Sequence, residues 1–506
     1  MSSCRQRGQI DVSRKELRKI RKKLRERKKV QELEPIATAT LPNRISDYET
    51  VEEEKQERLE AVTGQVKILR RKLPVLLRRL RAIPDPRNPR RIKHQLTCVM
   101  IYGILSFVLQ MSSRREANRE MTRPMFKENL RLLFPELADL PHQDTLMRLL
   151  DRIDIEQIEA IQIKLVQQLM RTKKLQRYLI NGCYPIAFDG TQKMIRNVVW
   201  SEECLERKVG AGEEKKKQYY VYVVELNLVL DNGMVIPLMS EFLEYDKGDT
   251  AEKKQDSESR GYHRLAQRLK KAFPRTRFLV LLDGLYPNGP VMEGCRKYNW
   301  QFMIVLQNGN LPQVWEEYRG LKKLLEPQDC LENKWGDRTQ KFHWINDIEY
   351  TYGPTGRKRQ IVHMVVCEES WEEVDPQMLE IVTKTSRHVW LSSEQLNRCN
   401  VVPRCNQGAR HRWGIESGIL VEKRCGYHYE HCFSYSWNAM KGYHYLMRIA
   451  HLLNVLVLNA AQLKRIVSNL GARGFIGFIR QTLSGPWLDA EEVRHQLAEP
   501  GNLRFA

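Results

Sequence analysis

At Tyr184 the helical periodicity of the preceding sequence ends. From there to Leu306, short apolar runs alternate with helical stretches. The strand-like runs cover 184–188, 219–230, 234–243, 277–282 and 301–306, and the helical patterns cover 257–272 and 289–298. The second and third runs are joined by Asp231-Asn232-Gly233, which predicts a hairpin because Asn-Gly tolerates the positive φ angles of a tight turn. The order β-β-β-α-β-α-β predicts a mixed sheet flanked by helices.

The regions on either side of this segment complete the predicted organisation. A proline-punctuated stretch over 83–91 indicates a boundary, helical periodicity fills 92–178, and a β-rich block with its own turns fills 307–396. We therefore predict an α/β fold in which a mixed sheet flanked by helices is interrupted by a β-rich insertion and preceded by a helical region. The predicted parts are a basic N-terminal region (1–82), a helical DNA-binding or associated domain (83–180), a core in two pieces (181–306 and 397–463), the insertion (307–396) and a C-terminal tail (464–506).

Three helical segments before the sheet carry specific expectations. Residues 14–29 form a basic amphipathic pattern, which fits a DNA-backbone contact, a dimerising helix or a solvated tail about equally well. Apolar residues at helical spacing from Val62 to Leu73 predict a helix that ends at Pro74. A helix-start signal at Asp144 fits a small DNA-binding module, and a plain helical packing domain explains it equally well.

The charge balance favours a polyanionic partner. Lys and Arg number 84 against 62 Asp and Glu, a net charge of +22, which fits nucleic acid or an acidic membrane surface. The longest apolar run, from Leu96 to Met111, is shorter than the about 20 residues of a membrane span and predicts a buried helix. The absence of an apolar leader and the 11 scattered cysteines fit a protein of the reducing cytosol, associated with the nucleoid in a bacterium.

Two of the apolar runs end in an aspartate. Asp189 follows Ile186-Ala187-Phe188, and Asp283 follows Leu279-Val280-Leu281-Leu282. Acids at strand ends lie where α/β sheets commonly place ligand sites, and paired strands would bring both carboxylates within reach of one hard cation. Taken singly, each Asp-Gly is more often a turn, but two in matching contexts favour a site.

A third acid, Glu416, lies in a helical pattern near the C-terminal end of the core. Arg412 and Glu416 are one turn apart on one face, and Lys423 lies two turns beyond Glu416. Such a row suits a helix that donates one metal ligand and holds phosphates beside it. For an isolated Arg-x-x-x-Glu, a solvated face with an ion pair would be the better interpretation.

Together these motifs resemble insertion-sequence transposases of the DDE class, in which a ribonuclease H-like core is interrupted by a β-strand insertion before the glutamate helix. Their last acid lies in a Tyr-x-x-Arg-x-x-x-Glu-x-x-x-x-x-x-Lys signature. Arg412, Glu416 and Lys423 match it in type and spacing, and Ala409 replaces the tyrosine. The likeness covers roughly 84–460.

The resemblance implies DNA cleavage at element ends, followed by joining of the 3′-hydroxyl to target DNA. It further implies two Mg²⁺ ions, with Mn²⁺ as a substitute, held by Asp189, Asp283 and Glu416, and phosphates positioned by Arg412 and Lys423. Asp189 would bridge both ions, and the other two acids would each complete one coordination shell. The implied partners are double-stranded DNA, as terminal repeats and target, and a second copy of the chain.

Other interpretations stay open at this point. A transposase-derived DNA-binding protein without catalysis and a ribonuclease H-like nuclease would share most of these features. Near Glu416 a group of thiols and imidazoles invites a zinc site, although ordinary buried thiols and surface histidines fit better; its members are Cys399, Cys405, Cys425, His428, His431 and Cys432. Tryptophans of the insertion could stack a flipped base, although core packing is the commoner role; they are Trp335, Trp344, Trp371 and Trp390.

Overall fold

The computed structural model describes residues 46–137, 139–210, 216–244, 257–374, 381–499, 501 and 503–505. The basic pattern over 14–29 lies outside these residues. The fold is mixed α/β, with one large mixed sheet and helices packed against it.

The chain enters the described part through a helical region. Its helices are α1 (Val51–Arg81), α2 (Leu96–Val108), α3 (Arg114–Met121), α4 (Pro124–Leu133), α5 (Gln143–Leu150) and α6 (Ile155–Arg171). The predicted end of α1 at Pro74 is wrong, because buried Leu73 and Leu76 on either side of the proline pack into the core and carry the helix on. The predicted start at Asp144 is also displaced, since His142 caps α5 and Asp144 lies in its first turn.

The central part of the sheet holds the strands expected from the apolar runs. These are β1 (Tyr184–Arg196), β3 (Lys216–Val229), β4 (Val235–Phe242), β5 (Phe278–Leu282) and β6 (Gln301–Val305), with a short strand β2 (Leu205–Val209) on the edge of β3. β3 is antiparallel to β1 and β4, whereas β1, β5 and β6 run parallel. Gly233 adopts a φ of +83° between β3 and β4, so the predicted hairpin is confirmed.

The helices between these strands cover the sheet. α7 (Glu258–Ala272) connects β4 to β5, and α8 (Gly289–Lys297) connects β5 to β6. All five residues of β5 are buried, as its continuous apolar pattern requires of a strand covered on both faces.

The β-rich block extends this sheet. After α9 (Pro312–Leu321), a helix that the strand-like pattern did not predict, come β7 (Cys330–Trp335), β8 (Arg338–Tyr352), β9 (Lys358–Val374) and β10 (Ile381–Ser392). They form an antiparallel ladder in the order β10-β9-β8-β7. Because Trp390, Leu391 and Ser392 of β10 pair with β6, the block and the central strands share one continuous sheet.

The last helices close the fold. They are α10 (Trp413–Arg424), α11 (Trp437–Leu458), α12 (Lys464–Ser484) and α13 (Ala490–Ala498). α11 is buried along nearly its whole length and packs against α2, α5, α6 and β4, so the helical region and the sheet share one core. Within the described ranges, every helix is too short or too polar to cross a bilayer.

Candidate active site

Asp189 lies in β1, and Asp283 directly follows the adjacent parallel strand β5 at the corresponding position. β1 pairs with β5 so that Ile186 faces Val280 and Ala187 faces Leu281. Carried two residues further, this register brings Asp189 opposite Asp283. The two strands are therefore direct neighbours, and neighbouring strands lie about 4.7–4.9 Å apart.

The two Asp-Gly dipeptides differ in conformation. Asp189 does not end its strand as expected, because β1 continues to Arg196 along β3, and no turn forms at Gly190. Asp283 does follow the last residue of β5 and begins a turn, in which its Oδ1 accepts a 2.9 Å hydrogen bond from the backbone N–H of Leu285. The turn interpretation is therefore wrong for Asp189 and right for Asp283, which retains a half-buried carboxylate.

The helix that carries Glu416 packs on the face of the sheet to which Asp189 belongs. Ala187, two residues before Asp189, shares a buried cluster with Leu281 of β5 and with Ile415 and Ile419 of α10. Residues two apart on a strand point to the same face. α10 also lies close to the β3–β4 hairpin, since a Cβ at Gly418 would lie 2.8 Å from a Val235 methyl carbon.

Arg412 and Glu416 form an ion pair at the start of α10. Nη2 of Arg412 donates a 2.6 Å hydrogen bond to Oε1 of Glu416. Arg412 is only 3% exposed and its guanidinium lies 4.6 Å from the ring centroid of Trp413. Within the described part of the chain, its Nε and Nη1 are buried without a hydrogen-bond partner. A buried guanidinium with two unused N–H groups can bind an anion such as a phosphate.

The electrostatics of Asp189 reflect a group of acids around it. Burial raises the pKa of Asp189 to about 7, with further upward contributions from Glu416, Glu258 and Asp283, whereas Arg412 opposes the rise. Nearby like charges disfavour the ionised form of a carboxyl group, and a cation among them removes this penalty. Asp189 is therefore poised to bind a proton or a metal ion.

The donor set suits a hard divalent cation, because carboxylate oxygens are the ligands that Mg²⁺ and Mn²⁺ prefer. Among the described residues, however, no three Asp, Glu, His or Cys side chains converge closely enough to hold one metal ion. This finding applies to the three acids and to the Cys and His group near Glu416. In this structure the carboxylate of Glu416 is paired with the guanidinium of Arg412.

Lys423 joins α10 to the strand that carries Asp189. Its Nζ donates a 3.1 Å hydrogen bond to the backbone carbonyl of Gln192 in β1 and lies 3.1 Å from Oε1 of Glu430. Gln192 lies three residues after Asp189 on the same strand. Lys423 thus fixes the position of α10 relative to β1.

A buried ionic network joins α10 to α11 and β3, and no sequence pattern predicted it. Arg448 of α11 lies between Glu422 of α10, at 3.1 Å, and Glu225 of β3, at 3.2 Å, and all three are fully buried. His451 contacts Glu422 at 2.6 Å. Because Glu225 pairs in register with Asp189, the network links the glutamate helix to the strand neighbouring the first acid.

A groove with a volume of about 780 Å³ opens beside the start of α10. It lies between the end of β6, the inserted strands and the turn before α10, and its charged and aromatic lining residues are Trp335, Arg387, His388, Trp390, Arg410, His411 and Trp413. Trp335 and Trp413 are 41% and 42% exposed. Arg410 stacks on Trp335 at 4.6 Å and contacts Glu369 of β9, which joins the insertion to the glutamate helix. Basic and aromatic groups in one groove suit nucleic acid.

Comparison with known proteins bears on the helical region. Residues 77–166 match the family described as DDE_Tnp_1-associated, so the chain contains a transposase-associated domain. A search of curated proteins gives no match. Among solved structures, the chain is similar to a piggyBac transposase in a synaptic complex with hairpin DNA, with 11% sequence identity, a TM-score of 0.32, and coverage of 88% of this chain and 82% of that chain. That TM-score is too low to establish a shared fold.

Proposed function

We propose that this chain is a DDE-class DNA transposase with a ribonuclease H-like core, and that Asp189, Asp283 and Glu416 are its catalytic acids. The observation that carries the proposal is the placement of the acids: Asp189 on β1 and Asp283 directly after the adjacent parallel strand β5, at matching positions, with the glutamate helix packed on the same face. The transposase-associated domain over 77–166 supports it independently. The core order β4-β3-β1-β5-β6, with β3 antiparallel to β1, supports the ribonuclease H-like assignment.

The three acids would hold divalent cations, Mg²⁺ or Mn²⁺, as a pair. Two such ions activate an attacking oxygen and stabilise a leaving oxygen in an in-line displacement at phosphorus. Asp189 would be one ligand, and the charges of both other acids act on it. Glu416 would be another, although in this structure its carboxylate is paired with Arg412.

The chain's own cations would then position the DNA. In the part of the chain that the structure describes, the Nε and Nη1 groups of the buried Arg412 have no hydrogen-bond partner, so this guanidinium would hold a DNA phosphate beside Glu416. Lys423 holds α10 on β1, so it sets the distance between Glu416 and Asp189 and adds positive charge beside the phosphate. The aromatic and basic groove would receive nucleotides next to the scissile phosphate.

The proposed substrates are double-stranded terminal repeats and target DNA, bound by a homodimer so that two element ends can be joined in one reaction. The net charge of +22 supports binding to a polyanion. The test is a strand-transfer assay with labelled duplex ends, a target plasmid and Mg²⁺. Joined product supports a transposase, cleavage without joining supports a ribonuclease H-like nuclease, and DNA binding without either supports an inert DNA-binding protein.

A further inference from the structure

Glu258, a fourth acid that no sequence motif indicated, lies beside the candidate site. It is the first residue of α7, and its carboxylate accepts hydrogen bonds from two tyrosines. The hydroxyl of Tyr222 in β3 lies 2.8 Å from Oε2, and the hydroxyl of Tyr286 lies 2.8 Å from Oε1. An acid at a helix start is stabilised by the helix dipole, but that role requires neither tyrosine.

The carboxylate of Glu258 packs directly on the backbone that follows Asp189. A Cβ added to Gly190 would lie 2.2 Å from Oε2 of Glu258 and 2.6 Å from the Tyr222 ring. No side chain larger than hydrogen fits there without displacing the carboxylate. Glycine at position 190 is therefore explained by Glu258 rather than by a turn.

Tyr286 connects the same carboxylate to the turn that carries Asp283. Its backbone N–H donates a 3.3 Å hydrogen bond to the carbonyl of Asp283, and its ring is 1% exposed and packs 5.2 Å from Tyr262 of α7. Tyr286 is thus held at its backbone by the Asp283 turn and at its hydroxyl by Glu258. A single carboxylate joins the Asp283 turn to the backbone beside Asp189.

We propose that Glu258 is a positioning residue for the divalent-cation site, acting through Tyr286 on Asp283 and through its contact with Gly190 on Asp189. The inference rests on the proposed function, because it takes those two aspartates as metal ligands. Outer partners of ligating carboxylates fix the ligands' orientation, and their loss typically lowers metal affinity 10–100-fold. Glu258 would add a fourth negative charge near the cations without binding them directly.

The test measures Mn²⁺ binding to the full chain by electron paramagnetic resonance, in the absence of DNA. Glu258→Gln retains the side-chain volume and removes the charge, and we expect it to weaken Mn²⁺ binding about 10–100-fold. Tyr286→Phe removes one hydroxyl without changing charge and should weaken binding by a smaller factor. Glu317→Gln, at an exposed position on α9, is the charge-matched control and should bind Mn²⁺ like the wild type.

Mn²⁺ affinities within twofold of wild type for both Glu258→Gln and Tyr286→Phe would overturn the proposal, and the tyrosine variant decides it if the glutamine variant does not fold. Failure of the proposed function gives a different result: the wild type and Asp189→Asn would bind Mn²⁺ equally poorly. Hydrogen exchange of the Leu285 and Tyr286 amides then tests the positioning role alone. Faster exchange in Glu258→Gln supports it, and unchanged exchange refutes it.

Discussion

The guanidinium of Arg412 donates a 2.6 Å hydrogen bond to the carboxylate of Glu416, one turn further along the chain. Arg412 is buried and stacked on Trp413, so packing as well as Glu416 holds its guanidinium in position. A charge-assisted hydrogen bond of this kind competes with a metal ion for the same oxygen atoms. Arg412 would therefore lower the affinity of Glu416 for metal while it provides a binding group for phosphate.

These opposed effects predict that Arg412→Ala separates metal binding from catalysis. We expect Mn²⁺ to bind more tightly to the variant, because its competitor for Glu416 is absent, and single-turnover DNA cleavage to fall about 10²–10³-fold, the usual effect of losing one donor to transition-state charge. Arg424→Ala, at an exposed position near the end of α10, is the control. Cleavage near the wild-type rate would show that Arg412 does not bind the DNA phosphate.

The three acids should be required for chemistry and dispensable for DNA binding. We expect Asp189→Asn, Asp283→Asn and Glu416→Gln each to reduce cleavage by at least about a thousandfold, the effect of losing several kcal/mol of metal-derived stabilisation. Each change removes charge and preserves volume, so DNA affinity in a gel-shift assay should stay within a fewfold of wild type. Any of the three variants that cleaves normally would show that its residue is misassigned.

The positions of Asp189 and Asp283 could be predicted from sequence because burial imposes a local pattern. A strand covered on both faces must be apolar, so a carboxylate next to such a run stands out, and β5 is buried throughout. The spacing of Glu416 to Arg412 and Lys423 makes it the predicted third acid, and that role stays a prediction. The strands of the central sheet followed from the same reasoning, and the Asn232-Gly233 hairpin followed from backbone sterics.

Features that depend on contacts distant in sequence could not be predicted. Glu258 meets Tyr286 and the backbone of Gly190 only after α7 has packed on the sheet, and a lone Glu in a helical pattern resembles a solvated residue. Strand β2 is polar, as exposed edge strands commonly are, so it lacks the apolar run by which the others were found. At Pro74 the burial of Leu73 and Leu76 outweighs the local preference of proline to end a helix.

The raised pKa of Asp189 predicts how stability of the metal-free protein depends on pH. Burial and then the neighbouring acids raise this pKa from 3.8 to about 7, so the folded state holds a proton that the unfolded state releases. Stability is therefore lost as the pH rises from about 4 to above 7. We expect Asp189→Asn to raise the free energy of unfolding at pH 8 and to have little effect at pH 4. Because the carboxylate is only partly buried, the gain at pH 8 should be smaller than the about 4 kcal/mol to which the full pKa difference corresponds.

Urea unfolding in EDTA at the two pH values measures this difference. Added Mg²⁺ should recover the wild-type stability at pH 8 and leave the Asp189→Asn variant unchanged, because the variant lacks the ligand. An Asp189→Asn variant that is less stable than wild type at pH 8 would contradict the assigned environment of this carboxyl group.

Arg448 should be important for stability because it lies between two buried acids. Arg448→Met leaves Glu225 and Glu422 without their shared cation, and breaking a buried ion pair typically costs about 3–5 kcal/mol. The exposed Arg465, which pairs with Glu57, gives a matched control whose substitution by Met should cost less than about 1 kcal/mol. Chemical denaturation measures both, and equal effects of the two variants would show that the network contributes little.

Trp335 provides a test of the groove as a DNA contact. It lies at the end of β7, is 41% exposed, and carries the Arg410 guanidinium over its ring. If an unpaired base stacks there, Trp335→Ala should weaken binding of a DNA end by about 1–3 kcal/mol, or roughly 5- to 150-fold. The loss should be larger for ends with unpaired nucleotides than for blunt duplex of the same length, because a base held in a pair is not free to stack on the ring.

Fluorescence anisotropy with the two DNA forms measures this difference. Trp371→Ala is the control, since Trp371 also carries an arginine over its ring but lies on β9 and does not line the groove. Equal weakening for both DNA forms would indicate that Trp335 acts through Arg410 and the backbone phosphates rather than by stacking. Unchanged binding to both forms would exclude this groove as the route of the DNA end. Trp335, the most exposed tryptophan of the β-rich block, would then contact no nucleotide.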